Sequence, residues 1–164
     1  MWSLVEHQIE NARLLAVADK RRPRSASLRR AVSTAYYAVF QALCGMCADR
    51  LVGWGKPWDV YTPIFRGLDH HGIADKLRQP GLALTPDLQR LGLRFNELLA
   101  AREWADYNPE PRPGYKLGTN ETPFTRQEAL GLIESAIEAI KIVDHLDLDT
   151  RLRLATRLVP RTRR

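Results

Sequence analysis

The sequence has little cysteine, almost no strand-like alternation and none of the compact signatures that mark many enzymes. Two cysteines, Cys44 and Cys47 in "CGMC", are too few for a disulfide framework. No hydrophobic run is expected to reach the length of a membrane span. "MWSLVEHQIENA" carries acids early and lacks the basic start of a signal peptide. The expected setting is therefore a reducing cytosol, away from membranes. A glycine-rich phosphate loop, a Ser-His-Asp arrangement and a paired-carboxylate signature are all missing. Those absences point away from nucleotide hydrolysis on a phosphate loop, triad chemistry and glycosidase-type catalysis.

What is present is apolar and basic. With 164 residues, 45% of them hydrophobic, the chain can build one domain with a real core. A formal net charge of +6 keeps nucleic acid or an acidic protein open as partners. Charge of that kind attracts phosphate and specifies no chemistry. The basic runs "KRRPRSASLRR" and "RTRR" are most simply solvated surface, although two clusters on one small domain favour RNA modestly.

Apolar spacing is helical almost throughout. Val5, Ile9, Ala12 and Ala16 mark a first helix over roughly residues 2 to 20. A second, roughly 25 to 52, with Ser25 or Ser27 as cap, carries the stripe Leu28, Val32, Ala35, Tyr36, Val39 and Leu43. Tyr37, Phe40, Cys44 and Cys47 widen that stripe until most of the circumference is apolar, the pattern of a central helix. "GWGKPWDVYTP" reads as Gly- and Pro-rich punctuation, and "GLDHHGIADKLRQPG" as a short helix. Thr85-Pro86 should start a third long helix, ending near Tyr107 because Asn108-Pro109 disfavours helix. Residues 108–123 should form a long loop. Thr125 or Thr122 should cap a fourth long helix with Ala129, Leu132, Ile133, Ala136, Ile137, Ile140 and Val143 on its core face. The expectation is an all-α bundle of four to five helices over residues 1–147. A basic tail, 148–164, would extend the last helix weakly and then fray.

One residue breaks the pattern. Steps of three and four along the third helix give Leu88, Leu91, Phe95, Leu98 and then Arg102, an arginine where a leucine is expected. Three explanations stand: a dimer cleft or active site, a structural buried ion pair, or an accident of the surface. The simplest pair is Arg102–Asp106, four residues on, in the weaker orientation and worth a few tenths of a kcal/mol when exposed. A guanidinium on a core stripe needs more than that, because an unpaired buried charge is costly.

"STAYYAVFQALC" on the second helix, "DHHGIADKL" in the middle and "REWADY" closing the third, followed by a loop and an apolar helix, resemble a HEPN domain. The branch it is most similar to has a "YYA.F" helix, an "H.G" connector and an "R..ADY" helix end. The likeness covers roughly residues 5 to 147. It implies an antiparallel up-and-down helical bundle, usually a homodimer. Members are often metal-independent ribonucleases, whose arginine is followed four to six residues later by a histidine and paired across the dimer. Many act as toxins or beside a minimal nucleotidyltransferase. Others are non-catalytic and bind RNA or nucleotide.

This chain departs from that pattern at the decisive place. After Arg102 come Glu103, Trp104, Ala105, Asp106 and Tyr107, so Tyr107 stands where the histidine belongs. What the resemblance implies here is a cofactor-free endoribonuclease, a toxin or defence component. Arg102 would hold the phosphate, Tyr107 would donate a hydrogen bond or proton, Asp106 would orient Arg102, and Glu103 would be a lesser contributor. The alternative is a silent module that binds RNA, nucleotide or a nucleotidyltransferase partner. Metal-free RNA cleavage needs a base, an acid and a cation for the charged phosphorus centre. Arginine suits the last role. Tyrosine, with an ordinary pKa of ~10, is a poor base and a usable donor. Residues five apart lie about 140° apart on an ideal helix. Arg102 and Tyr107 are therefore expected to converge only if the helix frays at Asn108-Pro109 or if two chains share the site.

The remaining candidates have simpler explanations. Tyr36 and Tyr37 read as core. Cys44 and Cys47 with His70 and His71 match a zinc site only loosely, and helical cysteines three apart are usually small apolar residues. No metal is expected. His70-His71 before Gly72 should fix a turn or a helix start, a phosphate-facing role being the weaker option.

Overall fold

The centre of the molecule is the helix Ser25–Leu51, apolar nearly all round as its sequence dictates. The computed structural model describes residues 3–19, 21–79, 85–109 and 124–159. Among them are seven helices and no strand. They are α1 (Ser3–Val17), α2 (Ser25–Leu51), α3 (Trp58–Arg66), α4 (His70–Arg78), α5 (Pro86–Tyr107), α6 (Arg126–His145) and α7 (Leu148–Leu158). The central α2 packs against α1, α3, α5, α6 and α7.

Contacts along each pair fix the directions. Arg29 of α2 reaches the end of α5 at Ala105, and Tyr37 meets Arg102 further back, so α2 and α5 run antiparallel. Arg94–Glu138 and Trp104–Phe124 make α5 and α6 antiparallel. Arg13–Glu134, with Arg126 donating to the Asp19 carbonyl, does the same for α6 and α1. The long helices α1, α2, α5 and α6 thus form the up-and-down bundle. Their expected stripes are mostly the buried ones: Val5, Ile9, Ala12 and Ala16; Leu28, Val32, Ala35, Tyr36, Val39 and Leu43; Ala129, Ile133, Ala136, Ile140 and Val143, while Leu132 and Ile137, expected on the same face, are only partly buried.

Caps explain the starts. Thr85 accepts from the Leu88 N–H, with Pro86 in the first helical position. Thr125 and Glu128 form a reciprocal capping box at the start of α6. At α2 the cap position is Arg24, without a side-chain cap. An Arg24–Asp19 ion pair of 3.0 Å holds that turn, where Ser25 or Ser27 was expected to cap.

Seven helices exceed the expected four to five by α3 and α7. The "GWGKPWDVYTP" stretch is punctuation only as far as Pro57; a helix starts at Trp58 and carries Pro63 inside it. Leu148–Leu158 is no weak extension of α6. Asp147 accepts from the Thr150 N–H at 2.9 Å and starts a new helix, which buries Leu154, Ala155 and Leu158. Lys76 of α4 donates to the Leu158 carbonyl at 2.8 Å and ties down its far end. Residues 160–164 and most of the expected 108–123 loop lie outside the described residues.

The sequence was expected to hold no span-length apolar run, yet α2 is long and apolar enough to cross a membrane. In the fold 78% of its most apolar stretch is buried. Its apolarity is used up by the helices packed around it.

Two glycines set α4, which matters for the site. Asp69 caps α4 by accepting from the Gly72 N–H at 2.6 Å. A Cβ on Gly72 would run into that carboxylate. On α5, a Cβ on Gly92 would stand 2.9 Å from the Leu77 carbonyl oxygen. Gly92 therefore lets α4 lie close against α5.

Candidate functional site

The apolar stripe of α5 does end in a guanidinium, and that guanidinium is almost enclosed. The Arg102 side chain is only 11% exposed, which removes the surface-accident explanation. Its Nε lies 2.8 Å from Asp106 Oδ2, one turn on. This is an ion pair and not a hydrogen bond, because the N–H is not aimed at the carboxylate. Its Nη2 donates to the Tyr37 hydroxyl at 2.6 Å. Rings of Tyr36, Tyr37 and Tyr107 surround its central carbon at 5.9, 5.3 and 5.2 Å. Nη1 has no hydrogen-bond partner among the described residues. Burial works against the charge, but Tyr37, Asp106 and Tyr107 outweigh it and raise the Arg102 pKa above its ordinary value.

Arg102 and Tyr107 converge within one chain on an intact helix, contrary to the expectation of fraying or sharing. The Asn108 N–H still bonds to the Trp104 carbonyl at 3.1 Å. The 140° between the two positions is bridged by the length of the side chains, with the tyrosine ring lying over the guanidinium. Tyr107 itself is 71% exposed.

A polar track on α2 braces this helix end. Arg29, Ser33 and Tyr37 are four apart and share one face. Arg29 donates to the Ala105 carbonyl at 2.5 Å and to the Asn108 carbonyl, and stacks on Trp104 at 5.4 Å. It thereby satisfies carbonyls that the end of α5 leaves free. Ser33, buried, donates to Asp106 Oδ2 at 3.3 Å. Tyr37 holds Arg102. Sequence reasoning missed this track because it read Tyr37 with the apolar stripe. The signal was there: a polar series at four-residue spacing beside the Leu28–Val32–Ala35 stripe. A groove lined by Gln8, Asn11, Arg30 and Thr34 opens between α1 and α2, next to Ser33 and Tyr37.

His70, expected to fix a turn or a helix start, is the first residue of α4 and also joins this cluster. The start of α4 sets its ring against Phe40, with centroids 4.1 Å apart, and beside both tyrosines at 5.5 and 5.8 Å. Its Nδ1 lies 2.6 Å from the hydroxyl of fully buried Tyr36. Burial, then the Arg102 and His71 charges, lower the His70 pKa from 6.5; Asp69 and Glu103 oppose them. Burial also keeps the Tyr36 hydroxyl protonated by raising its pKa. His71 is mostly exposed, 3.3 Å from Glu103.

Of the four residues singled out in the sequence, three come together: Arg102, Asp106 and Tyr107. Glu103 instead faces His71, its Oε1 3.3 Å from the imidazole Nε2. Cys44 and Cys47 are buried free thiols, whose pKa values burial pushes up to about 12. Among the described residues no group of three or more His, Cys, Asp or Glu could hold a metal ion.

Compared with protein-family models, curated proteins and solved structures, the chain has no match.

Proposed function

We propose that this protein is a HEPN-type, metal-independent endoribonuclease of the cytoplasm, acting as a toxin or defence component. The observation that carries the proposal is Arg102, a nearly enclosed guanidinium ringed by three tyrosines, with Nη1 unpaired among the described residues. A fixed cation of that sort, with little water around it, stabilises charge developing on a phosphoryl group far better than a solvated one. Asp106 and Tyr37 set its plane; Nη1 is left for a phosphate oxygen. Tyr107, exposed over the same guanidinium, donates a hydrogen bond to the bound phosphodiester. In this account the protein is a homodimer with both Arg102 side chains near the two-fold axis, and a nucleotidyltransferase is a suitable partner. A chain that sediments as a monomer at micromolar concentration rules out that arrangement.

The test is purified protein with RNA in EDTA. The proposal expects cleavage that the chelator leaves untouched. Tyr107→Phe keeps the ring over Arg102 and removes only the hydroxyl. Its cleavage rate is expected to fall about 10²-fold, the effect of one lost transition-state donor. A rate within about threefold of native would make Tyr107 a shield for the guanidinium and no more.

A binding module is the second reading. It is favoured by the engagement of Arg102 with both Asp106 and Tyr37, the habit of a structural pair. It expects RNA or nucleotide binding that Arg102→Ala weakens, with no cleavage in any buffer.

A further inference from the structure

We infer that His70, brought in by α4, is the catalytic base and proton carrier of the Arg102 site, with Tyr36 as its positioning residue. The inference rests on the ribonuclease reading above and supplies what that reading lacks. Arginine cannot accept a proton at any working pH, and an ordinary tyrosine is protonated near neutrality. Some other group must take the proton from the 2′-hydroxyl and return one to the leaving oxygen.

His70 is in the right place. It and Arg102 flank the same two rings, Tyr36 and Tyr37, from α4 and α5. Its Nδ1 is already occupied by the Tyr36 hydroxyl at 2.6 Å. A histidine held at one nitrogen is fixed in orientation, and the bond at that nitrogen sets which tautomer the ring adopts. We assign the tautomer in which Nδ1–H donates to the Tyr36 oxygen, so that Nε2 carries a free lone pair and is the base. The charged and titratable groups around the ring are Tyr36 and Tyr37 from α2, Arg102 and Glu103 from α5, the cap residue Asp69 and His71 of α4. Together with burial they leave His70 neutral at pH 7, the state a base requires.

The step balances. Nε2 takes the proton from the 2′-oxygen as the O2′–P bond forms. The P–O5′ bond breaks, and the imidazolium passes the proton to O5′. The products are a 2′,3′-cyclic phosphate and a 5′-hydroxyl. Arg102 stays on the non-bridging oxygens throughout. No oxidant, metal or added water takes part.

The experiment is the rate of RNA cleavage in EDTA from about pH 5 to 8, across the ordinary histidine range. Native protein, His70→Gln, Tyr36→Phe and Arg102→Ala are compared. Glutamine retains an N–H donor for the Tyr36 oxygen, and far-UV circular dichroism checks that each variant is folded. The base must be neutral, so the native rate should climb with pH through the His70 pKa, below 6.5, and then level off. His70→Gln should lose about 10²- to 10⁴-fold at the plateau and the acid limb with it. Tyr36→Phe should lose less and displace the limb, which a merely structural tyrosine would not do. If Arg102→Ala abolishes cleavage while His70→Gln keeps the native rate and limb, His70 is not the base and the ribonuclease reading stands. If native protein cleaves at no pH, both fall together.

Discussion

Arg102→Ala is expected to lower RNA cleavage by at least ~10²–10³-fold, the loss seen when a preorganised electrostatic donor is removed, and to leave the helical content unchanged. The substitution removes the cation and spares the fold for a specific reason. Its chief counter-charge, Asp106, has a side chain 26% exposed, so it can turn to water once alone. Ser33 still donates to that carboxylate. The stability cost should be about 1.5–3 kcal/mol, that of hydrogen bonds to a charged group. The structural-pair explanation expects something different. There the main effect is destabilisation of about 3–5 kcal/mol, the penalty for breaking a buried pair, with any loss of activity following the loss of folded protein. Equilibrium denaturation alongside single-turnover cleavage separates the two. Arg102→Lys sharpens the comparison, because it keeps the charge and loses the planar guanidinium that can hold Asp106, Tyr37 and a phosphate oxygen at once.

Phe95→Ala should give the largest loss of stability, about 3–5 kcal/mol, typical of a buried aromatic truncated in a packed core. Phe95 is fully buried on α5, and its ring lies 5.6 Å from that of Tyr36. For a chain of this size the midpoint of thermal unfolding should fall by roughly 2–4 °C per kcal/mol. The position also joins core to site, since Tyr36 touches Phe95 on one side and His70 on another. A cavity beside Tyr36 should loosen the ring that orients His70. Activity of the folded fraction should therefore drop as well, well below the temperature at which the protein melts. A drop in stability with full activity per folded molecule would show that core packing at Phe95 does not position the site.

The bundle was largely written in the apolar spacing, because each long helix must bury one stripe and those stripes recur at the helical period. Val5-Ile9-Ala12-Ala16 and Leu88-Leu91-Phe95-Leu98 needed no tertiary knowledge. Thr85-Pro86 was legible because capping is local. The Arg102–Asp106 pair was legible for the same reason, being one turn apart. The rest of the site was not. Tyr37 lies 65 residues from Arg102, and His70 lies 34 from Tyr36; both contacts arise only when helices pack. Local spacing also misjudged Arg102 and Tyr107, since it fixes where α-carbons point and ignores how far long side chains reach. The last helix was hidden by its arginines. Arg153 and Arg157 face solvent, while Leu154 and Leu158, four apart, are buried.

The central claim is that the Arg102 cluster cleaves RNA by attack of the 2′-hydroxyl without a metal, and the chemistry of the product ends tests it most directly. An RNA of defined sequence is incubated with native protein in EDTA, and the fragments are weighed by mass spectrometry. The account predicts 2′,3′-cyclic phosphate and 5′-hydroxyl ends, no cleavage where the 2′-hydroxyl is replaced by hydrogen, and none with Arg102→Ala. Fragments bearing 5′-phosphates and 3′-hydroxyls, cleavage of the 2′-deoxy substrate, or intact RNA bound to native protein would contradict it.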